Sequence, residues 1–95
     1  MQGHFLIMYD VADGKRLRKL AQWLENYAWR IQKSVFVAEA DEILLDKIVR
    51  GIKLYIDKDE DSVYLFPICE KDWKKRERYG ISEEVSRYEN TAIVL

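Results

Sequence analysis

The sequence predicts an α+β fold, a ferredoxin-like βαββαβ sandwich with an extra C-terminal β-strand. Phe5–Tyr9 is continuously apolar, as expected for a central strand that is covered on both faces. Two later segments carry apolar residues at helical spacing, and β-prone runs lie between and after them. Two helices on one face of an antiparallel sheet make the split βαβ arrangement.

Each predicted element has its own signals. Asp13 and Asp41 are predicted N-caps, because each stands immediately before a helical apolar stripe. Trp29–Ala40 is long enough for one bent strand or for two short strands in a tight hairpin, and both arrangements stay open. The predicted elements are a strand at His4–Val11, a helix at Gly14–Tyr27, strand structure at Trp29–Ala40, a helix at Glu42–Ile56, and strands at Ser62–Ile68 and Thr91–Leu95.

The length of 95 residues predicts a single domain, residues 1–95, with a core at about 1–70 and a tail, 71–95, for dimer or partner contacts. A core of this size is thin, so oligomerisation is a natural source of further buried area. With both helices on one side, the other face of the sheet is expected to be uncovered. We therefore expect a homodimer.

Composition excludes several classes of protein. Cys69 is the only cysteine, which rules out an intramolecular disulfide and a cysteine-based zinc site and fits a cytoplasmic location. The apolar run Phe5–Tyr9 is far too short to span a membrane, so no membrane partner is expected. The sequence also lacks the basic and apolar regions of a signal peptide.

The charges are segregated along the chain although the net charge is only −1. Lys15–Lys33 contains six cations and one anion, and Lys71–Arg78 contains five cations and two anions. Glu39–Asp61 contains eight anions and four cations. Such segregation permits a basic surface on a nearly neutral protein, and it is equally typical of solvated helix faces.

Asp10 ends the first predicted strand directly before a turn, at the rim of the sheet. Mg²⁺ is typically held by one or two carboxylates and several waters, so a two-fold axis near this strand would bring in a second Asp10. A metal held there would polarise a phosphate and lower the pKa of a bound water. The alternative is that Asp10 only caps the turn.

Three blocks, Tyr9–Val11, Lys15–Leu20 and Arg30–Phe36, resemble the CRISPR-associated protein 2 family in sequence and in spacing. Asp59–Val63 and the strand after it resemble the last core strand of that family, so the resemblance covers roughly the first 70 residues. It implies a ferredoxin-like homodimer of the antiviral CRISPR system. It also implies partnership with the CRISPR integrase subunit, in a complex that captures duplex prespacer DNA for integration.

The family is also described as a metal-dependent endonuclease on RNA or DNA, so the resemblance implies a Mg²⁺ site. It implies Asp10 as the metal ligand and as a catalytic residue, with Tyr9, Ser34 and Phe36 as further catalytic residues. Guanidinium and ammonium groups suit phosphate. The candidate nucleic-acid-binding residues are Lys15, Arg16, Arg18, Lys19, Arg30 and Lys33. The substrate is duplex DNA or single-stranded RNA.

Two other functions fit the same fold class. A ribonuclease toxin of related ferredoxin-like fold would act without an integrase partner. A ferredoxin-like regulatory domain would need neither the basic segments nor Asp10.

Overall fold

The fold is an antiparallel four-stranded sheet with two helices on one face. The computed structural model describes residues 2–80 and the backbone of residues 93–94. Within the main sheet the strand order is β2-β3-β1-β4, which confirms the ferredoxin-like class. The elements are β1 (Gly3–Asp10), α1 (Gly14–Leu24), β2 (Trp29–Gln32), β3 (Val35–Ala40), α2 (Glu42–Tyr55), β4 (Ser62–Ile68), α3 (Glu70–Lys74), β5 (Glu77–Arg78) and β6 (Ile93–Val94).

The central strand β1 is antiparallel to both of its neighbours, β3 and β4. Ile7 lies opposite Phe36 on one side and opposite Leu65 on the other. Because side chains alternate along a strand, these three residues share the face that carries the helices. Met8 and its neighbours in register share the opposite face, which we call the open face.

Both predicted helix caps are confirmed. The Asp13 carboxylate accepts a hydrogen bond from the Arg16 backbone N–H at 2.9 Å, and Asp41 accepts one from the Leu44 N–H at 2.8 Å. Helix α1 ends at Leu24, before the predicted Tyr27. The N–H groups of Asn26 and Tyr27 bond to carbonyls only three residues back, those of Trp23 and Leu24, which is the pattern of a tightened last turn. No helix within residues 2–80 is long and apolar enough to span a membrane.

Residues Trp29–Ala40 form two strands, which decides between the two predicted arrangements. Strands β2 and β3 are joined by a turn at Lys33-Ser34 and pair antiparallel. The register shifts between Arg30 and Gln32, which marks a β-bulge in the edge strand.

The core lies between the sheet and the two long helices. Its largest fully buried side chains come from both layers, and burying one such side chain contributes about 1.5–3 kcal/mol. They are Phe36, Ile7, Leu20, Leu24 and Ile48.

Helix α3 covers part of the open face, which was expected to be uncovered. It contacts β1, and its Trp73 ring stacks on His4, a residue of the open face, with ring centroids 4.0 Å apart. Strand β6 pairs in parallel with β5 in a separate two-stranded sheet, so the predicted extra strand is present at Ile93–Val94. Residues 81–92, which include Thr91 of the predicted strand, and Leu95 lie outside the described residues.

The two long helices approach each other closely at Gly51. A Cβ atom at this position would overlap the ring of Trp23. That ring is held between Tyr27 and Tyr55, with centroid distances of 5.1 and 5.6 Å. A rigid ring between two other rings has little room to move, so glycine is required here for steric reasons.

We expect Gly51→Ala to destabilise the fold by about 1–2 kcal/mol. The cost of overpacking, about 1–3 kcal/mol, exceeds the gain of up to about 1 kcal/mol from better helix propensity. Gly14→Ala is the matched control, because a Cβ at Gly14 would meet only Arg18 at an ordinary 3.5 Å. Urea unfolding measures both variants, and equal stability of the two would contradict the steric role of Gly51.

Candidate functional site

Asp10 occupies the predicted rim position. It is the last residue of β1, pairs in register with Ser62 of β4, and is exposed to solvent. Strand alternation places its side chain on the open face together with that of Met8. A carboxylate in this position is accessible to a cation or to a phosphate-bearing ligand.

Tyr9 lies on the opposite face from Asp10, although the two residues are adjacent in sequence. Its ring is 6% exposed and stacks near Phe36, with ring centroids 6.1 Å apart. The phenol donates a hydrogen bond to the Lys33 carbonyl at 3.4 Å, and the Tyr9 backbone N–H donates to the Ser34 carbonyl at 3.1 Å. Burial raises the pKa of the Tyr9 phenol, an effect that the positive charge of Arg30 partly opposes.

The structure therefore separates Asp10 from the other three candidate catalytic residues. Asp10 lies on the open face, whereas Tyr9 and Phe36 lie on the helix face and Ser34 lies in the β2–β3 turn. The physical reason is the two-residue period of β1, which sends successive side chains to opposite faces.

Arg30 is anchored over the core by an aromatic contact. Its guanidinium carbon lies 5.3 Å from the centroid of the Phe36 ring, directly across from it in the sheet. Nη2 is 3.9 Å from a carboxylate oxygen of Glu25, which is too long for a hydrogen bond. Nε is buried and has no hydrogen-bond acceptor within the described part of the chain.

A groove of about 540 Å³ opens between α1 and the β2–β3 hairpin. Five of the predicted site residues line it, namely Tyr9, Arg18, Arg30, Lys33 and Ser34. Asp10 and Arg16 do not line it. The lining residues are Tyr9, Leu17, Arg18, Ala21, Gln22, Glu25, Arg30, Lys33 and Ser34.

Arg16 forms a bidentate ion pair with Asp61. Nε donates to Oδ2 at 2.9 Å and Nη2 donates to Oδ1 at 3.1 Å. The Asp61 carboxylate has no exposed surface and also accepts hydrogen bonds from the backbone N–H groups of Ala12 and Asp57. The Arg16 guanidinium, with these N–H groups, holds the pKa of Asp61 well below its usual range.

This ion pair changes one expectation. Arg16, a predicted phosphate ligand, is engaged by Asp61 within the chain, and the acidic turn of residues 57–61 contacts the start of α1. The sequence holds no signal for the contact, because Arg16 and Asp61 are 45 positions apart.

The other predicted cations at the surface are more accessible. Lys15, Arg18, Lys19 and Lys33 are all exposed. None of the four comes within 4.0 Å of a carboxylate oxygen among the residues that the structure describes. Lys15 and Lys19 stand one helical turn apart on α1 and outside the groove, and we call this pair the α1 rim.

The residues near Asp10 in one chain do not form a complete magnesium site within residues 2–80. No group of three or more His, Cys, Asp or Glu side chains comes together within residues 2–80. Asp61 precedes Ser62, the register partner of Asp10, and its side chain has no exposed surface and is engaged by Arg16. Among the described residues, Asp10 is therefore an accessible carboxylate outside any complete ligand cluster, and Mg²⁺ typically uses one or two carboxylates and several waters.

The open face also carries large apolar side chains that the sequence analysis did not single out. Tyr64 is 62% and Phe66 is 48% exposed on β4, with ring centroids 6.0 Å apart, and Met8 is 37% exposed on the neighbouring strand. Large apolar patches on a protein surface are typical of interaction sites. The alternation of Tyr64 and Phe66 with Val63 and Leu65 in the sequence could have indicated that two aromatic side chains share the open face.

Comparison with known proteins places these features in a family. Residues 3–76 match the family model described as CRISPR associated protein Cas2. A Rhodospirillum rubrum protein named CRISPR-associated endoribonuclease Cas2 4 is 31% identical over 90 residues, covering 95% of this chain and 73% of its own. A Moorella thermoacetica protein named CRISPR-associated endoribonuclease Cas2 1 is 33% identical, with 83% of this chain and 88% of its own covered.

A solved structure agrees with the sequence matches. The crystal structure of Streptococcus pyogenes Cas2 at pH 6.5 superposes with a TM-score of 0.67 and 28% identity, covering 76% of this chain and 92% of that chain. The family match spans every element from β1 to α3, and so it includes Asp10, the groove and the Arg16–Asp61 pair.

The Arg16–Asp61 pair predicts a specific acid sensitivity. Because the folded-state pKa of Asp61 is lowered, its stabilising effect is present above the unfolded-state pKa, at about pH 4, and is lost as the pH falls below that value. Asp61→Asn should lower the free energy of unfolding at pH 7 and flatten its dependence on pH below about 4.

The matched control is Asp46→Asn, which breaks the Asp46–Arg50 pair of the same 2.9 Å length at an exposed site. Exposed pairs contribute little, so this variant should remain close to wild type, within about 1 kcal/mol. Urea unfolding between pH 2.5 and 7 measures both. Equal losses at pH 7 in the two variants would contradict a special role for Asp61.

Proposed function

The chain belongs to the CRISPR-associated protein Cas2 family, as the resemblance indicated, and from this premise we propose that it is a homodimeric scaffold of CRISPR spacer acquisition. It binds duplex prespacer DNA through its basic surface and works with the CRISPR integrase subunit. The observation that carries the proposal is the α1 rim, two exposed lysines on one helical face without carboxylate partners among the described residues.

A dimer places two α1 rims on one assembly. Exposed ammonium groups contact phosphates without reading bases, so binding of this kind is independent of sequence. A scaffold needs that property, because the prespacers it holds differ in sequence. The integrase partnership itself is carried by the family resemblance.

The open face is the proposed dimer interface. Met8, Tyr64 and Phe66 are exposed there in the single chain. Burying such side chains against a second copy would remove apolar area from water and would bring two β1 strands close to one axis. Each chain would then contribute its Asp10 to a shared end of the sheet.

A Mg²⁺-dependent endonuclease activity is the second proposed function. It is favoured by the names of the relatives, which call them endoribonucleases, and by the exposed carboxylate of Asp10. The two Asp10 side chains of the dimer would hold the ion. Bound Mg²⁺ supplies positive charge to a phosphate and lowers the pKa of a bound water.

The scaffold proposal predicts how duplex binding depends on salt. Lys15→Ala/Lys19→Ala should weaken binding equally on two unrelated duplexes, and each lost phosphate contact should flatten the slope of log affinity against log salt by about 0.9. Titration across 50 to 200 mM salt, a range in which such contacts lose much affinity, measures the slope.

The control is Lys47→Ala/Arg50→Ala, which removes the same charge from exposed positions of α2. It should leave the slope near the wild-type value. If the α1 rim variant behaves like this control, the DNA path does not run over α1. Repeating the titration with the cognate integrase present tests the partnership, because a toxin-like ribonuclease would gain no affinity from it.

The nuclease proposal predicts that Asp10→Asn reduces Mg²⁺-dependent cleavage to the level of a no-enzyme reaction. Asparagine keeps the size of the side chain but lacks the charge that a hard cation requires. The dimer should persist, and sedimentation equilibrium should give twice the 11.4 kDa chain mass for both proteins. Equal cleavage by the variant and the wild type would show that Asp10 is not required for the activity. A monomeric wild type would contradict a metal site shared between two chains.

A further inference from the structure

The open face is covered over one half and exposed over the other. In the covered half, Trp73 of α3 stacks on His4. Val37, which its register places on the same face, is only 2% exposed although it does not belong to the core under the long helices. The free half carries the large exposed side chains of the apolar patch, Met8, Tyr64 and Phe66.

A stack of flat groups holds α3 on the covered half. The Trp73 indole lies nearly parallel to the His4 imidazole, with an angle of 12° between the rings. Arg76 lies over the same indole, with its guanidinium carbon 3.7 Å from the ring centroid, and its Nη1 donates a hydrogen bond to the Trp73 carbonyl at 2.8 Å. On the sheet side, His4 Nε2 is 3.4 Å from a carboxylate oxygen of Glu39. The stack therefore connects α3 to both β1 and β3.

The outer surface of α3 is unsuited to an apolar interface. The helix has no buried residue, and charged side chains are depleted in the cores of interfaces. A helix is about 10–12 Å across, whereas two packed sheets lie about 10 Å apart. A second sheet therefore cannot lie flat on the covered half while α3 is docked there. The exposed charged residues of α3 are Glu70, Lys71, Asp72 and Lys74.

We propose that α3 is a releasable strap, which closes the covered half through the His4–Trp73–Arg76 stack and confines a second copy of the chain to the free half. The inference rests on the proposed dimer and adds a device that sets where the two chains meet. Asp10 follows Met8 on the same face, so a copy confined to the free half approaches the end of β1 that carries Asp10.

The strap is releasable because a helix of five residues is not stable by itself. Its place on the sheet depends on tertiary contacts, and weakening the stack should let it detach. Detachment would join the two halves of the open face into one larger apolar surface. A second copy could then bury more area than it can in the strapped chain.

The test combines the dimer dissociation constant of the full chain, from sedimentation equilibrium, with limited trypsin digestion. Trp73→Ala should lower the dissociation constant by at least about tenfold, because the covered half becomes available to the second copy. Cleavage after Lys71 should accelerate in the same variant, since a protease cuts a segment that opens locally.

His4→Ala is the second variant, and it breaks the same stack from β1 while the sequence around Lys71 stays intact. It should change both measurements in the same direction as Trp73→Ala. The double variant should change them little further, because the two rings contact each other and their effects are not additive. Lys75→Ala, an exposed position next to α3, is the control and should behave like wild type.

Two results would overturn the strap. Unchanged cleavage in both variants would show that the stack does not hold α3 in place. A dissociation constant at or above the wild-type value in both variants would show that α3 does not restrict the second copy. A monomeric wild type would contradict the proposed dimer, and the variants would then decide the strap separately: association would support it, and monomers would overturn it.

Discussion

The alternation of side chains along β1 is the constraint on which the rest of this structure depends. Because β1 is the central strand, its register with β3 and β4 assigns every side chain of the sheet to one of two faces. Ile7 and Tyr9 are committed to the helix-covered core, and Met8 and Asp10 are committed to the open face. A core on one face and an accessible carboxylate on the other therefore have the same origin.

The Arg16–Asp61 pair ties the end of β1 to the rest of the fold. Asp61 binds Arg16 at the start of α1 and also the N–H of Ala12, which is two residues after Asp10. The same carboxylate accepts the N–H of Asp57 and so closes the turn before β4. One carboxylate without exposed surface thus joins the turn after β1, the start of α1 and the turn before β4, and such a network stabilises most when all of its partners are present.

The cations between Lys15 and Lys33 lie in three different environments in the folded chain. Arg16 is structural, Lys15 and Lys19 are exposed on the outer side of α1, and the remaining cations converge on the groove. The groove depends on the β2–β3 hairpin, which returns Arg30 and Lys33 to the side of α1. Charges that are adjacent in sequence thus acquire different environments, and their contributions to binding should differ accordingly.

The sequence by itself determined the two long helices, the strands β1 and β4, the helix caps at Asp13 and Asp41, the fold class and the family, because these follow from local periodicity, capping chemistry and short motifs. It also identified Asp10 as a rim residue, since a strand that ends in a carboxylate is a local pattern. It left the division of Trp29–Ala40 into β2 and β3 open and did not predict α3 or β5. Only the tertiary structure decided that Arg16 is held by Asp61, that Tyr9 and Asp10 serve opposite faces, and that Trp73 covers His4. These features depend on the register of the strands and on contacts between residues far apart in sequence. Local sequence patterns do not encode either of them.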